Sequence, residues 1–221
     1  MKPGMRLSPE AGLKLPRLYP ILDAGMLKHS AIPVETFARE LHSAGIRFLQ
    51  YRDKEGTDAS VLAAARLLRN VFHPGEATLI LNDRAHLLEA SGFDGVHIGQ
   101  EDISAAQARS IIGPGKILGL STHNATQLAA ADRQPVDYLA IGPVFGTQSK
   151  ASPDPVVGPA GVREARTLTS KPLVAIGGIT LENCHSVFAA GADSIALISA
   201  VLPTPGKTTG KVVEDFLARI G

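Results

Sequence analysis

Gln50, Arg52 and Lys54 stand two residues apart. In an extended chain such residues share one face. Phe48 belongs to that face, while Leu49 and Tyr51 point the other way, toward covering helices. A guanidinium and an ammonium held side by side suit a polyanion such as diphosphate. The plainer alternative is a strand end whose charges face water, but Gln and Arg inside a predicted strand are costly without a partner. Asp83 and Asp102 form a second constellation, each just past the end of a neighbouring predicted strand, the third and the fourth. Two hard oxygen ligands that leave the remaining positions to water and phosphate describe a magnesium site. Each also has a local alternative: Asp83 as the cap of a helix beginning near Arg84, and Asp102 as a turn or cap ahead of Ser104.

Further along, Ile176-Gly177-Gly178-Ile179 follows a predicted seventh strand, and Ile198-Ser199-Ala200 follows an eighth. In barrels those two loops often bind phosphate through backbone N–H groups, and glycine permits close backbone approach. Two tight turns are the competing reading. The loop from Gly142 to Lys150 carries Thr147, Ser149 and Lys150, whose hydroxyls and ammonium suit a second anion or a polar ring. His97, inside an apolar strand, reads as a satisfied core residue, and His123 is ambiguous. Neither a cysteine pair nor an HExxH motif argues for zinc. No Ser/His/Asp arrangement stands out, because His123 is too close to Ser121 in sequence to be an obvious base.

These residues acquire meaning from the elements that carry them. Strand-like runs fall at 18–22, 48–51, 78–81, 95–98, 117–120, 138–141, 173–176 and 194–198. Amphipathic helical stretches lie between and after them, at 34–43, 60–71, 85–90, 105–111, 125–131, 160–168, 181–189 and 212–220. Such alternation predicts an α/β fold with a parallel sheet. Eight units close a single (β/α)8 TIM barrel, with the active site at the carboxyl ends of the strands. The strands are mostly continuous apolar runs, as expected when both faces are buried.

A weak internal echo supports this arrangement. Gly92-Phe93-Asp94 and Gly191-Ala192-Asp193 follow a predicted helix and precede a strand, as does Gly45-Ile46-Arg47, and Pro135-Val136-Asp137 resembles them. The echo falls on strands two, four, six and eight, and its glycines suit left-handed helix ends. With 221 residues and no evident mid-chain linker, one domain over 17–221 is expected, preceded by a flexible leader over 1–16. The formal net charge of +1 gives no electrostatic case for nucleic acid. No run has the apolar length needed to span a bilayer, and the leader lacks the apolar core of a signal peptide. The lone Cys184 excludes an internal disulfide and is expected to be buried. The expected compartment is the cytoplasm.

Taken in order, Gln50-Tyr51-Arg52-Asp53-Lys54, Asn82-Asp83-Arg84, the stretch from Gly95 to Asp102, Gly119-Leu120-Ser121-Thr122-His123, Gly142-Pro143-Val144-Phe145 with Thr147 and Lys150, and Ala175-Ile176-Gly177-Gly178-Ile179 are a specific set. The chain resembles the thiamine-phosphate synthase (thiamine-phosphate pyrophosphorylase) family from Leu18 to Ala200. The resemblance implies a β/α barrel that joins hydroxymethylpyrimidine diphosphate to hydroxyethylthiazole phosphate, releasing diphosphate and thiamine phosphate. It implies that Gln50, Arg52, Lys54, Asn82, Ser121 and Lys150 hold the pyrimidine diphosphate, with Arg52, Lys54, Lys150 and Ser121 catalytic. It assigns Mg²⁺ to Asp83 and Asp102, and thiazole phosphate to Thr147, Ser149, Gly178, Ile198 and Ser199. It also implies a homodimer.

Departures are few. Gly146 and Gln148 stand where the family usually has Pro, a loss that should loosen the loop, and Ser149 stands where it has Thr, which keeps the hydroxyl. Three other readings compete: a thiazole tautomerase-like isomerase, a non-catalytic barrel that binds thiamine or thiazole phosphate, and another phosphosugar barrel. The first needs a base and no diphosphate apparatus. The second calls for degraded cationic and metal positions. The third fits the Gly178 and Ser199 loops but not the Gln50–Lys54 cluster.

Overall fold

A computed structural model describes residues 13–146 and 154–221. Eight strands close a parallel barrel in sequence order. They are β1 (Leu18–Asp23), β2 (Phe48–Arg52), β3 (Thr78–Asn82), β4 (Gly95–Ile98), β5 (Ile117–Thr122), β6 (Tyr138–Ile141), β7 (Leu173–Ile176) and β8 (Ser194–Leu197). The helices are α1 (Ala24–His29), α2 (Val34–Ser43), α3 (Asp58–Val71), α4 (Leu88–Ser91), α5 (Ala105–Ile112), α6 (Ala125–Asp132), α7 (Gly158–Leu168), α8 (Cys184–Ala189) and α9 (Thr209–Ile220). The expected (β/α)8 architecture is therefore the observed one.

Strand alternation divides the core in two. Tyr19, Ile21, Phe48, Ile80, Tyr138, Ala140, Val174 and Ala196 pack inside the barrel. Leu49, Tyr51, Leu79, Leu81 and Val96 pack outward with the helices. Helix α3 shows how the outer layer is made: Val61, Ala65, Leu68 and Val71 recur every three or four residues and are its buried positions. Leu13 and Leu15, within the expected leader, pack against the interior cluster, while residues 1–12 lie outside the described residues.

Several boundaries differ from the sequence expectation for local reasons. Helix α1 was not expected; it has six residues and one buried side chain, too little for a periodic signal, and Asp23 caps it by accepting from Met26 N at 2.9 Å. Helix α3 begins earlier than the expected residue 60 because Thr57 supplies its cap, accepting from Ser60 N at 3.2 Å. The expected 85–90 helix is a 3₁₀ turn, Ala85–Leu87, followed by the four-residue α4. The expected 181–189 helix starts only at Cys184, which is fully buried. Strand β8 stops at Leu197, because Ile198 turns out of extended geometry with ψ −81.

The sequence echo becomes a repeated clamp at the amino ends of the strands. Asp94 Oδ2 accepts from Leu79 N at 2.8 Å and from Arg69 of α3 at 2.6 Å. Asp137 Oδ2 accepts from Leu118 N and from Arg109 of α5, both at 2.7 Å. Asp193 Oδ2 accepts from Leu173 N at 2.8 Å and from Arg166 of α7 at 2.9 Å. Each arginine also donates to backbone carbonyls beneath the strands, as Arg109 does to Gly113 O and Lys116 O. Arg47 occupies the fourth echo position and cannot accept; it donates instead to His42 O and Ile46 O.

Candidate active site

At the opposite, carboxyl end of the barrel, one cavity of about 920 Å³ opens among the strand ends and their loops. Gln50, Arg52, Lys54, Asn82, Asp83, Asp102, Ser121, Gly178, Ile198 and Ser199 all line it. Thr147, Ser149 and Lys150, also expected at the site, lie outside the described residues. The ends of their loop are nonetheless fixed. Val144 N and Phe145 N donate to Ile176 O and Gly177 O, both at 2.9 Å, and Val157 N and Gly158 N return to Pro143 O and Val144 O.

The period of two in β2 places Gln50 deep and Arg52 and Lys54 progressively nearer the mouth. Gln50 is 2% exposed and donates from Nε2 to the Tyr19 hydroxyl at 2.9 Å. Arg52 is held by the buried Asp23 carboxylate, which also caps α1, so its guanidinium is oriented before any ligand arrives. Lys54 pairs with Asp83. The turn carrying Lys54 is tied down by Asp53, whose carboxylate accepts from Gly56 N at 2.7 Å, and by Arg84, which reaches Gly56 O and, at 2.5 Å, Asp58. Asp23 and Arg84 had no assigned role in the sequence reading; a carboxylate or guanidinium beside a strand end was the only signal available.

Asp83 does not cap a helix. The following 3₁₀ turn has Arg84 at its cap position and no side-chain cap bond. Asp83 itself has φ +62, a left-handed conformation that Asp tolerates better than most residues. Its amide donates to His97 O at 2.8 Å, and its carboxylate faces those of Asp102 and the Lys54 ammonium. Burial raises the Asp83 pKa above the usual carboxylate value, with Lys54 opposing and Asp102 adding to the rise. Asp102 accepts from Gly99 N at 2.7 Å, so its turn reading is realised alongside its position facing Asp83. Ser104, not Asp102, caps α5, in a reciprocal bond pair with Gln107.

Two half-buried carboxylates in contact repel each other, and a divalent cation between them relieves that repulsion. No group of three or more His, Cys, Asp or Glu that could hold a metal occurs among the described residues. Two carboxylates, those of Asp83 and Asp102, would suit a hard ion such as Mg²⁺, which needs only one or two when substrate phosphates complete its sphere.

On the far wall, Gly177 and Gly178 have φ +100 and +64. A Cβ on Gly177 would lie 2.6 Å from Pro143 Cβ, and one on Gly178 2.5 Å from Gly146 O. Both positions therefore demand glycine, and they bring backbone close to the cavity. Ser199 opens the 3₁₀ turn Ser199–Val201 that follows β8.

Ser121 has a histidine partner that sequence proximity concealed. His97, one strand away on β4, places Nε2 2.7 Å from Ser121 Oγ. Its Nδ1 lies 2.9 Å from the Tyr138 hydroxyl, so His97 is satisfied as expected, yet it also lines the cavity. Burial lowers its pKa to about 4, and no carboxylate orients it, so this is not a nucleophile–base pair. Tyr19 and Tyr138 were not expected at the site; two of the chain's three tyrosines at interior positions of apolar strands were the signal. His123 is anchored by Gly142 O at 2.7 Å from Nδ1.

A closed parallel barrel whose carboxyl rim gathers cations, paired carboxylates and glycine turns defines a phosphate-handling barrel enzyme. Residues 18–201 match a family model described as thiamine monophosphate synthase. The chain belongs to this family and is accordingly an enzyme, a transferase. It is 52% identical over 206 residues to a thiamine-phosphate synthase of Koribacter versatilis (strain Ellin345), a match covering 92% of this chain and 97% of that one. A thiamine-phosphate synthase of Agrobacterium fabrum (strain C58 / ATCC 33970) is 40% identical over 190 residues, covering 84% and 86%. The solved thiamine phosphate pyrophosphorylase from Pyrococcus furiosus superposes with a TM-score of 0.79 at 29% identity, covering 93% of this chain and 97% of that one.

Proposed function

We propose that this chain condenses 4-amino-2-methyl-5-(diphosphooxymethyl)pyrimidine with 4-methyl-5-(2-phosphooxyethyl)thiazole to give thiamine phosphate and diphosphate. Family membership supports the reaction, and one observation carries its placement: Arg52, Lys54, Asp83 and Asp102 face a single cavity that also reaches Gly178 and Ser199. In this reading Gln50, Asn82 and Ser121 hold the pyrimidine, and Arg52, Lys54 and Lys150 its diphosphate. Thr147, Ser149, Gly178, Ile198 and Ser199 hold the thiazole phosphate. Asp83 and Asp102 hold Mg²⁺, which when bound supplies positive charge against the departing diphosphate.

The bond between the pyrimidine methylene and the diphosphate oxygen breaks, and its electron pair leaves with diphosphate. The thiazole nitrogen lone pair then forms the new C–N bond. No proton changes hands at the reacting atoms, so alignment and charge stabilisation suffice. That accounts for a site in which His97 is neutral and Ser121 has no activating base. In this reading the catalytic unit is the barrel over residues 17–221, against whose interior cluster Leu13 and Leu15 pack, and it works in the cytoplasm. No described helix is long and apolar enough to cross a membrane.

The deciding experiment incubates the purified protein with both substrates and Mg²⁺ and measures thiamine phosphate by chromatography. Product is expected, is lost on chelation and returns with added Mg²⁺. Folded protein that makes none overturns the reading.

A further inference from the structure

Five side chains form an unbroken hydrogen-bonded chain across the barrel interior. Gln50 Nε2 donates to Tyr19 Oη at 2.9 Å, and the Tyr19 and Tyr138 hydroxyls are 2.9 Å apart. Tyr138 Oη lies 2.9 Å from His97 Nδ1, and His97 Nε2 lies 2.7 Å from Ser121 Oγ. Tyr19, Tyr138, His97 and Gln50 are all buried, and the chain ends at Gln50 and Ser121 on the cavity wall, which Tyr19 and His97 also line.

Proton counting sets the direction. A phenol has one proton. Tyr19 accepts from Gln50, so its own proton goes to Tyr138. Tyr138 then gives its proton to His97 Nδ1. The ring therefore carries its hydrogen on Nε2 and donates it to Ser121. The groups this leaves toward a ligand include the Gln50 carbonyl oxygen, an acceptor that stands beside the amide's second N–H, and the Ser121 hydroxyl proton, a donor.

A second observation concerns the joint between phenol and imidazole. Gly119 of β5 stands in register with both His97 and Tyr138. A Cβ there would lie 2.4 Å from Tyr138 Oη and 2.5 Å from His97 Nδ1. The missing side chain is what lets these two groups meet.

We propose that Tyr19, Tyr138 and His97 are positioning residues that fix an acceptor at Gln50 and a donor at Ser121, and so select a 4-amino over a 4-oxo pyrimidine. The proposal rests on the reading above in which the pyrimidine lies between Gln50 and Ser121. A 4-aminopyrimidine offers an amine N–H beside a ring nitrogen acceptor, which complements this pair. The 4-oxo analogue reverses both, setting a carbonyl oxygen beside a ring N–H, and buried polar groups facing their own kind are strongly rejecting.

The first test needs no turnover. Two-bond ¹H–¹⁵N spectra of the free protein, with the His97 signals assigned by their loss in His97→Gln, read the tautomer directly. Hydrogen on Nε2 with a bare Nδ1 is expected; hydrogen on Nδ1, or on both nitrogens, overturns the proposal. The second test compares the inhibition constant of the 4-oxo pyrimidine diphosphate with the KM of the 4-amino substrate. Wild-type protein should reject the oxo compound by on the order of a hundredfold or more. Tyr138→Phe should raise the KM for the aminopyrimidine about tenfold and shrink that discrimination about tenfold, leaving the KM for thiazole phosphate unchanged. A Tyr138→Phe protein that is merely less stable, with both KM values and the discrimination intact, overturns it. Protein that makes no thiamine phosphate defeats the proposed function, and the tautomer spectrum still decides the direction of the chain.

Discussion

At the amino end of the barrel Asp94, Asp137 and Asp193 repeat one arrangement three times, each bonding one arginine and one strand amide. At the carboxyl end Arg52, Asp83, Asp102 and Ser121 repeat nothing. The amino-end charges are paired among themselves, with carboxylates accepting and guanidinium groups also bonding carbonyls. The carboxyl-end charges include two carboxylates turned toward each other and a left-handed Asp83. An arrangement used three times over answers a need common to every βα pair, that of closing the base of each strand. One used a single time, at the cost of like-charge contact and backbone strain, supports the proposed ligand-binding role.

The largest test of this division is Asp83→Asn, which keeps the side chain's size and tolerates the left-handed backbone. Removing one carboxylate of the pair should lower kcat/KM for thiamine phosphate formation on the order of a thousandfold. The melting temperature should stay near level, because relief of a half-buried like-charge contact offsets the lost ion pair with Lys54. A variant of near wild-type activity would mean that the pair is structural after all.

The interior between the two rims has its own signature in pH. The His97 pKa falls from 6.5 to about 4 on folding because burial disfavours the charged ring. Between those values the unfolded chain takes up a proton that the folded protein refuses, so stability falls as pH drops from about 6.5 toward 4. At about 1.4 kcal/mol per unit this amounts to roughly 3 kcal/mol across the window. Denaturant unfolding of wild type and His97→Gln at several pH values should show a shallower slope in the variant. Parallel slopes would mean that His97 takes up its proton in the folded protein.

Asp137→Ala turns the comparison to the amino rim. It strips Arg109 of its carboxylate and Leu118 N of its acceptor together. A loss of about 2 kcal/mol is expected, or roughly 4–8 °C in melting temperature for a chain of this size. The kcat below the melting transition should match wild type, since the clamp lies at the end of the barrel away from the cavity. A kcat effect without a stability effect would reverse the assignment of the two rims.

How much of this was legible in sequence follows from how far apart the participants are. The barrel was, because its strands and helices announce themselves over short windows, and α1 escaped because six residues with one buried side chain carry no period. The ten expected site residues on the cavity wall stand at strand ends, where position in the barrel does the gathering, but the roles of Asn82 and Ser121 came from the family resemblance. Partners were not legible. Ser121 was weighed against His123, two residues away, when its actual partner is His97 on the neighbouring strand. Tyr19 and Tyr138 meet across 119 positions of sequence, a pairing that strand order and register create and local pattern does not contain. The aspartates of the echo were visible, but not the arginines that give them their purpose, because those sit on helices 25 to 28 residues earlier.

The smallest effect refines the comparison, because the carboxyl rim is not wholly given over to ligands. Helix N-termini lie there too, and Thr57, Ser104 and Asn124 cap them. Ser104 stands two residues beyond Asp102, on the same loop, yet its hydroxyl bonds the Gln107 amide at 3.2 Å while Asp102 lines the cavity. Ser104→Ala should cost about 1 kcal/mol of stability, read by denaturant unfolding, and leave kcat/KM within error. Asp102→Ala should do the opposite, with activity lost and the fold retained, and if it only destabilises the fold, its bond to Gly99 N is its whole role. What separates the two residues is the direction of the side chain, one turned into its own helix and the other toward a second carboxylate across the cavity mouth. Proximity to the rim thus sets only the opportunity for function. A like-charge contact such as Asp83–Asp102, kept although Lys54 pairs with Asp83 and Gly99 N with Asp102, is what supports the proposed use.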